Sequence, residues 1–223
     1  MKAGLYLVGT PIGNLADVTL RGLDVLRQVD LVLTEDTRRT GILFHKYEIR
    51  TPMMSCHKFN EASRSHVAAA KIRAGAAVAL VVDSGMPGVS DPGARVVAAC
   101  REQQLPVSVV PGPSAAMAAL TASGFGGRGF VVEGFLERKA GARKRRLTEL
   151  AGLALPVVIF ESPYRLLQLM EEIEETMALR NVFVGREMTK AFEELLWGSP
   201  AEVRQAFQGR SVKGEIVVVV SGR

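Results

Sequence analysis

Short apolar runs recur along the chain, and most of them end in a loop rich in Gly, Pro, Asp or Ser. Their short length and their many β-branched residues favour buried strands over helices. The predicted strands are Leu5–Val8, Asp30–Thr34, Val78–Val82, Val107–Val110, Phe130–Val132, Val157–Phe160, Val182–Val184 and Ile216–Val220.

Helical patterns fill many of the intervals between these strands. Apolar residues recur at helical spacing in Thr19–Val29, and Glu61–Ala74 begins with an acid and ends with basic residues, as the helix dipole favours. Ser114–Ser123 and Pro163–Met177 are the other predicted helices. Because strands and helices alternate, the sequence predicts an α/β fold.

The glycine-rich stretch Thr121–Gly129 is the predicted connector between two domains. Residues 1–121 are expected to form an N-terminal α/β domain with a mostly parallel sheet. Residues 129–223 are expected to form a C-terminal α/β domain with a mixed sheet, because Val182–Arg186, Glu193–Trp197 and Ile216–Val220 are closely spaced.

Composition narrows the class of protein. The 223 residues are 48% hydrophobic and 23% charged, which is typical of a chain with a sizeable core. Two cysteines and three histidines predict a reducing compartment, with no disulfide framework and no metal site. No signal peptide or bilayer-length apolar run is visible, so we expect a cytoplasmic protein without a membrane partner. The net charge of +5 fits a polyanionic partner or a solvated basic surface.

The loops after the strands are the candidate sites, because open α/β sheets bind ligands beyond the carboxyl ends of their strands. Gly9–Asn14 has two glycines but neither the third glycine of a dinucleotide fingerprint nor the Gly-Lys-Ser/Thr of a P-loop. This argues against a nicotinamide oxidoreductase. Asp83–Gly93 holds two acids, three glycines and two prolines, which favours a rigid ligand-binding loop over a plain turn.

The remaining loops have both a functional and a structural interpretation. The structural interpretation is a helix cap, an ion pair or a solvated helix face, and it is the favoured one for Thr34–Arg39. Four of these loops follow strands: Thr34–Arg39, Pro111–Ala115, Glu161–Arg165 and Arg186–Lys190. Two further segments, His57–Glu61 and the basic run Lys139–Arg146, are candidates for contacting RNA.

Taken together, these motifs resemble the ribosomal RNA small subunit methyltransferase I family, which belongs to the tetrapyrrole methylase-like class. They occur in the family's order along nearly the whole chain. The motifs are Gly9–Leu15, Glu35–Arg38, Ser90–Gly93, Pro111–Pro113, Glu133–Leu136, Glu161–Pro163, Arg186–Lys190 and Lys213–Glu215. Met86, in the loop Asp83–Gly93, departs from the family pattern. The family usually has a side chain with a hydroxyl group at this position, and methionine has none.

The resemblance implies two α/β domains with S-adenosyl-L-methionine bound in a cleft between them, in a homodimer. It also implies 2′-O-methylation of a cytidine ribose in small-subunit (16S) ribosomal RNA, either free or in the assembled 30S subunit. By the same resemblance, the expected cofactor-binding residues are Pro11, Asp83, Gly85, Met86, Val89, Ser114, Ala115, Phe160, Glu161, Met188 and Gly214.

A general base for the ribose hydroxyl is also expected. The candidates are His57, Glu35, Asp36 and Lys190, and the sequence does not choose among them. The expected RNA contacts are Arg38, Arg39, Asn60, Lys139, Arg143 and Lys144.

Three alternatives stay open at this point. The same fold acts on a tetrapyrrole of the precorrin type or on a protein in diphthamide formation, although the basic run and the Glu35–Arg38 motif favour RNA. An RNA-binding protein without catalysis fits the positive charge, but it leaves the Gly- and Pro-rich loops unexplained.

Overall fold

The computed structural model of the protein describes residues 1–223, which divide into two compact units, Met1–Ser114 and Ala115–Arg223. The division precedes the predicted connector. The reason is that the helix Ala115–Ser123 packs on strands of the second unit, so the glycine-rich stretch that follows is a loop within that unit.

The first unit is built around a five-stranded sheet. Its elements are β1 (Gly4–Val8), α1 (Leu20–Gln28), β2 (Leu31–Thr34), α2 (Thr37–Lys46), β3 (Met53–Ser55), α3 (Glu61–Arg73), β4 (Ala77–Val81), α4 (Ala94–Glu102) and β5 (Val107–Val110). The strand order is β3-β2-β4-β1-β5, and every pair is parallel. All five strands therefore end at one edge, called here the carboxyl edge of the first sheet.

The central strand β4 explains why this sheet carries helices on both faces. All five of its residues are buried. Ala79 and Val81 pack with the residues of α1 and α2, whereas Val78 and Leu80 pack with those of α3 and α4. A strand covered on both faces needs a continuous apolar sequence, and residues 77–81 supply one.

The second unit has a mixed sheet. Its elements are α5 (Ala115–Ser123), β6 (Val131–Phe135), α6 (Ala140–Ala151), β7 (Val157–Glu161), α7 (Leu166–Thr176), β8 (Val182–Arg186), β9 (Glu194–Gly198), α8 (Pro200–Phe207) and β10 (Ile216–Val220). The order is β6-β7-β10-β8-β9, with β6 and β7 parallel and all other pairs antiparallel. The strands β6, β7 and β8 thus run in one direction and end at the carboxyl edge of the second sheet.

The core of the second unit lies on both faces of β10. Ile216, Val218 and Val220 pack with α6, α7 and α8 on one face. Val217 and Val219 pack with α5 on the other. None of the helices is long and apolar enough to cross a membrane.

Candidate functional site

The carboxyl edge of the first sheet brings together three predicted loops, Gly9–Asn14, Asp83–Gly93 and Pro111–Ala115, through close backbone contacts. Thr10 and Gly85 exchange two backbone hydrogen bonds of 2.9 and 3.1 Å, which join the loop after β1 to the loop after β4. A Cβ atom on Gly9 would lie 2.7 Å from the Cα of Gly112 and 2.6 Å from the Sδ of Met86. Glycine is therefore required where the three loops meet.

The loop after β4 has a backbone that few residue types adopt. Gly85 and Gly88 both have a φ of 81°, and Ser90 has a φ of 64°. The buried carboxylate of Glu61 fixes the end of this loop, since its Oε1 accepts from the backbone N–H groups of Gly93 at 2.8 Å and Arg95 at 3.0 Å. The loop is thus held in shape from α3, as a preformed binding loop would be.

Acidic groups from two neighbouring strands meet at this edge. Asp83 Oδ1 accepts from the backbone N–H of Asp36 at 3.1 Å, and its Oδ2 lies 3.5 Å from the Nε of Arg39. Asp36 also caps α2, accepting from the backbone N–H of Arg38 at 2.9 Å. The predicted loop Thr34–Arg39 therefore contains the helix cap and the ion pairs of its structural interpretation.

Three carboxyl groups at this edge resist ionisation. Partial burial raises the pKa of Glu35 and of Asp83, and the charge of Asp83 adds to the effect on Glu35. Partial burial of its carboxyl, with the charges of Glu35 and Asp83, raises the pKa of Asp91 to about 6, even though the residue as a whole is exposed. Carboxylates that repel one another favour a cationic ligand beside them.

His57 lies in the loop after β3, close enough to Glu35 for its charge to act on that carboxyl. The loop is closed by Asn60, whose Oδ1 accepts from the backbone N–H of His57 at 2.7 Å. The Nδ2 of Asn60 lies 3.2 Å from the Nε2 of His57. The Nδ1 of His57 is buried and has no hydrogen-bond partner, so one ring nitrogen is free to meet a ligand.

The other predicted cofactor residues of the first unit also lie in these loops. Pro11 is buried within the loop after β1, Met86 and Ser114 are half-buried, and Val89 is 47% exposed. Ala115 is the first residue of α5 and belongs to the second unit.

In the second unit, Glu161 ends β7 with its carboxylate buried. Its Oε1 accepts from the backbone N–H of Ser162 and from the Nη2 of Arg165, both at 2.6 Å. Its Oε2 and the Nη1 of Arg165 are buried without a hydrogen-bond partner. Two unsatisfied buried groups of opposite charge, side by side, point to a polar ligand or water at this place.

The loop after β8 is organised by the carboxylate of Glu187. Its Oε1 accepts from the Nζ of Lys190 and from the backbone N–H of Glu215, both at 2.8 Å. Gly214 has a φ of 96°, and a Cβ there would collide with the side chain of Glu187. The loop after β8 and the loop before β10 are therefore held against each other by hydrogen bonds and an ion pair.

Met188 and Phe160 are half-buried and contribute to the core on the α5 face. A cavity of about 310 Å³ opens at the same carboxyl edge of the second sheet. Its lining is Arg186, Glu187, Phe192, Arg210, Ser211, Val212, Lys213 and Gly214. The predicted cofactor residue Gly214 thus faces a cavity.

The structure corrects one of the predicted RNA contacts. Arg143 is buried and holds both oxygens of Glu172 at 2.5 Å. Its guanidinium is thus not free for a phosphate, because the basic run forms α6, which turns this side chain toward α7. Lys139, the N-cap of α6, and Lys144 within the helix are both exposed, and Lys144 pairs with Glu175 at 2.7 Å.

The three predicted RNA contacts of the first unit already interact with other groups of the protein. Arg38 is exposed and forms an ion pair of 2.7 Å with Asp36. Arg39 is exposed and reaches Asp83. The side chain of Asn60 closes the loop after β3, as described above.

Sequence reasoning missed Asp91, Arg165 and Glu187 as site residues. Asp91 follows Asp83 by a glycine-rich loop, and no spacing rule predicts that this loop folds back on itself. The pairing of Arg165 with Glu161 has a local signal, since two opposite charges lie four residues apart across the turn between β7 and α7.

Comparisons with known proteins agree over the whole chain. The family of tetrapyrrole (corrin/porphyrin) methylases matches residues 4–203. Ribosomal RNA small subunit methyltransferase I of Thermotoga maritima is 45% identical over 219 residues, covering 98% of both chains. The protein of the same name from Synechocystis sp. is 41% identical over 219 residues, covering 98% of this chain and 78% of its own.

A solved structure supports the fold. Uroporphyrin-III C-methyltransferase from Thermus thermophilus, in complex with S-adenosyl homocysteine, superposes with a TM-score of 0.67. The alignment covers 97% of this chain and 96% of that chain at 18% sequence identity. At this identity the likeness establishes the tetrapyrrole methylase fold and nothing finer.

Proposed function

Because the chain belongs to the ribosomal RNA small subunit methyltransferase I family of the tetrapyrrole methylases, we propose that it methylates small-subunit ribosomal RNA with S-adenosyl-L-methionine, at the 2′-oxygen of a cytidine ribose. The full-length match to the Thermotoga maritima protein carries the proposal. That match spans both units, so it includes both carboxyl edges.

The residues of the first unit fit this cofactor. Three loops joined through glycines present backbone groups at close range, as a nucleoside with a flat base requires. The carboxyl groups of Glu35, Asp83 and Asp91 favour a cation beside them. S-adenosyl-L-methionine carries a sulfonium and an ammonium group against one carboxylate, so its net charge suits them.

The proposed cofactor contacts follow from this fit and from the family resemblance. In the first unit, the loops after β1, β4 and β5 would supply Pro11, Asp83, Gly85, Met86, Val89 and Ser114. In the second unit, Ala115 and the carboxyl edge would supply Phe160, Glu161, Met188 and Gly214. Asp83 is suited to accept hydrogen bonds from the ammonium or ribose groups.

When bound, the cofactor supplies an electrophilic methyl group to the attacking ribose oxygen. The protein must hold that oxygen in line and accept the proton of its hydroxyl. Positioning of this kind contributes several kcal/mol, and a general base adds about 10²–10⁴-fold.

Two of the four candidate bases are poorly suited to that role. Hydrogen bonding to Arg38 lowers the pKa of Asp36 to about 2, so this carboxylate is a weak base. Burial opposes the charged form of Lys190, but hydrogen bonds to Glu187 and Glu215 outweigh it and raise the pKa of the ammonium. Lys190 is therefore held protonated.

His57 and Glu35 are the better candidates. The Nδ2 of Asn60 can only donate, so the Nε2 of His57 carries the lone pair that can accept the proton, while the carboxylate of Glu35 can stabilise the positive charge that the ring then acquires. The raised pKa of Glu35 also makes it a stronger base than an ordinary carboxylate. We propose that His57 accepts the proton of the ribose hydroxyl and that Glu35 stabilises the resulting positive charge.

The RNA contacts proposed for the phosphate backbone are Arg38, Arg39, Lys139 and Lys144, with Asn60 holding the loop of His57. The four cations are exposed, as counterion release from phosphates requires. Arg143 is left out because Glu172 occupies it.

The resemblance further supports a homodimer in the cytoplasm, acting on the RNA or on the assembled 30S subunit. Light scattering of the purified protein is expected to give the mass of two chains. A monomeric mass at micromolar concentration would remove the dimer from the proposal.

The acceptor class is tested with labelled S-adenosyl-L-methionine and three acceptors: unmodified small ribosomal subunits, large subunits and a precorrin-type tetrapyrrole. Label in the small subunit alone is expected. Label in the tetrapyrrole alone would keep the cofactor and fold but overturn the RNA substrate. Cofactor binding without any transfer would favour a non-catalytic RNA-binding protein.

A further inference from the structure

Three large aromatic side chains are exposed at the carboxyl edge of the second sheet. Phe135 ends β6, Tyr164 follows β7, and Phe192 lies between β8 and β9. They are 64%, 92% and 76% exposed, respectively. Aromatic rings exposed in three loops at one edge of a sheet are candidates for stacking on a flat ligand.

Each ring is positioned by the fold. Phe135 packs against Phe160, with ring centroids 5.7 Å apart. Tyr164 belongs to a 3₁₀ turn in which Arg165 is anchored on Glu161. Phe192 lines the cavity of about 310 Å³ described above. Phe135 is therefore held by another ring, whereas Tyr164 and Phe192 are largely exposed and accessible to a flat ligand.

Positive charge free for a polyanion lies at the same edge. Arg186 and Arg210 are neutralised by Glu194, and Lys190 is neutralised by Glu187 and Glu215. In contrast, Lys139 and Lys213 are exposed and enter none of the ion pairs of the second unit.

We infer that the carboxyl edge of the second sheet binds an unpaired segment of the RNA substrate, with bases stacked on Tyr164 and Phe192 and phosphates contacted by Lys139 and Lys213. Aromatic platforms beside unpaired cations are the combination that binds single-stranded nucleic acid. The bases of a duplex hide their faces, so the surface selects loops or single strands. The inference rests on the proposed function and deepens it by naming the form of RNA.

The test measures how tightly the full chain binds a fluorescein-labelled single-stranded RNA of about ten nucleotides, a length within the usual site size. Tyr164→Ala and Phe192→Ala are each expected to weaken binding about 5- to 100-fold, as the loss of one base stack does. Both side chains are exposed, so the variants should fold. Tyr164→Phe and Phe192→Tyr keep a ring and should keep the affinity within about threefold of the parent.

Leu179→Ala is the matched control. Leu179 is a fully exposed apolar side chain just before β8, at the opposite edge of the sheet, and its loss should leave RNA binding unchanged. In methyl transfer to small subunits, the two alanine variants should raise KM for RNA and keep kcat and the cofactor Kd.

Two results overturn the inference in distinguishable ways. A parent protein that methylates RNA, with alanine variants that keep its RNA affinity and KM, overturns the inference alone. A parent that neither binds RNA nor transfers a methyl group to it overturns the proposed function and the inference together.

Discussion

At the scale of single residues, Gly9 shows how tightly the candidate cofactor loops are built. A Cβ there would press into Gly112 and Met86, so Gly9→Ala should lower the free energy of unfolding by about 1–3 kcal/mol and weaken cofactor binding. Gly41→Ala is the matched control. It has open space within α2, and there alanine should stabilise by about 0.5–1 kcal/mol. Denaturant unfolding measures both, and equal effects would contradict the account.

His57→Ala should impair turnover far more than cofactor affinity. Removal of the proton acceptor is expected to lower kcat by about 10²–10⁴-fold. The cofactor Kd should stay within about twofold, because His57 lies outside the loops assigned to the cofactor. Single-turnover methyl transfer and calorimetric titration separate the two effects. A variant with the kinetics of the parent would remove His57 as the base.

Asp91 gives a stability effect that depends on pH. Its pKa of about 6 in the folded state is above its ordinary value, so the folded state is favoured while the carboxyl is protonated. That contribution is complete below about pH 4 and is lost as the pH rises through 6.

At pH 7, the Asp91→Asn variant should therefore have a higher midpoint concentration of denaturant than the parent. At pH 4, the two midpoints should be the same. We expect a gain on the order of 1 kcal/mol at pH 7, since the residue as a whole is exposed and solvent screens its partly buried carboxyl. Urea unfolding at the two pH values checks this. A gain that is the same at both pH values would contradict the assigned cause.

At the scale of elements, α6 shows how a basic run can mislead. The run Lys139–Arg146 was interpreted as a surface for phosphates. In the helix, Arg143 turns inward onto Glu172 of α7, while Lys144 points to solvent. Periodicity alone does not reveal this, because an arginine on the buried face looks polar in the sequence, and its partner lies 29 residues away.

Two neighbouring substitutions on α6 test this assignment. Arg143→Ala leaves a buried carboxylate without its partner and should lower the free energy of unfolding by about 3–5 kcal/mol. Lys144→Ala removes an exposed ion pair and should cost less than about 1 kcal/mol. Thermal unfolding with both variants would decide, and equal losses would contradict the buried role of Arg143.

The sequence predicted more of the strands than of the helices. The apolar, β-branched runs at residues 78–82 and 216–220 correspond to β4 and β10 because both strands are covered on two faces. The helices α2, α4 and α8 were not predicted. The helix α2 begins inside a charged loop, and α4 follows a glycine-rich one. Local composition there indicates a loop, whereas caps from Asp36 and Glu61 start the helices.

The same limit applies to the candidate site. Strand order decides which loops are neighbours, and the order β3-β2-β4-β1-β5 cannot be read from spacing. That order places the loop of Glu35 beside the loop of Asp83. The backbone N–H of Asp36 donates a hydrogen bond to Asp83, which is 47 residues away in the chain. The loop motifs were visible, but their mutual geometry required the fold.

At the scale of the whole molecule, the two units repeat one principle. In each, several strands run in the same direction and carry their functional loops at a single edge. The first unit offers glycine-rich loops and carboxyl groups suited to a cationic nucleoside. The second offers exposed aromatic rings and unpaired lysines suited to RNA. We propose that these features serve one activity, because family membership spans both units.

The most direct test of that activity maps the transferred methyl group. Small subunits lacking the modification are incubated with the protein and labelled S-adenosyl-L-methionine, and their RNA is then hydrolysed with alkali. A 2′-O-methylated ribose blocks cleavage, so the account predicts label in an alkali-resistant dinucleotide that contains cytidine. Label released as a base-methylated mononucleotide, or found only in protein, would contradict ribose methylation by this chain.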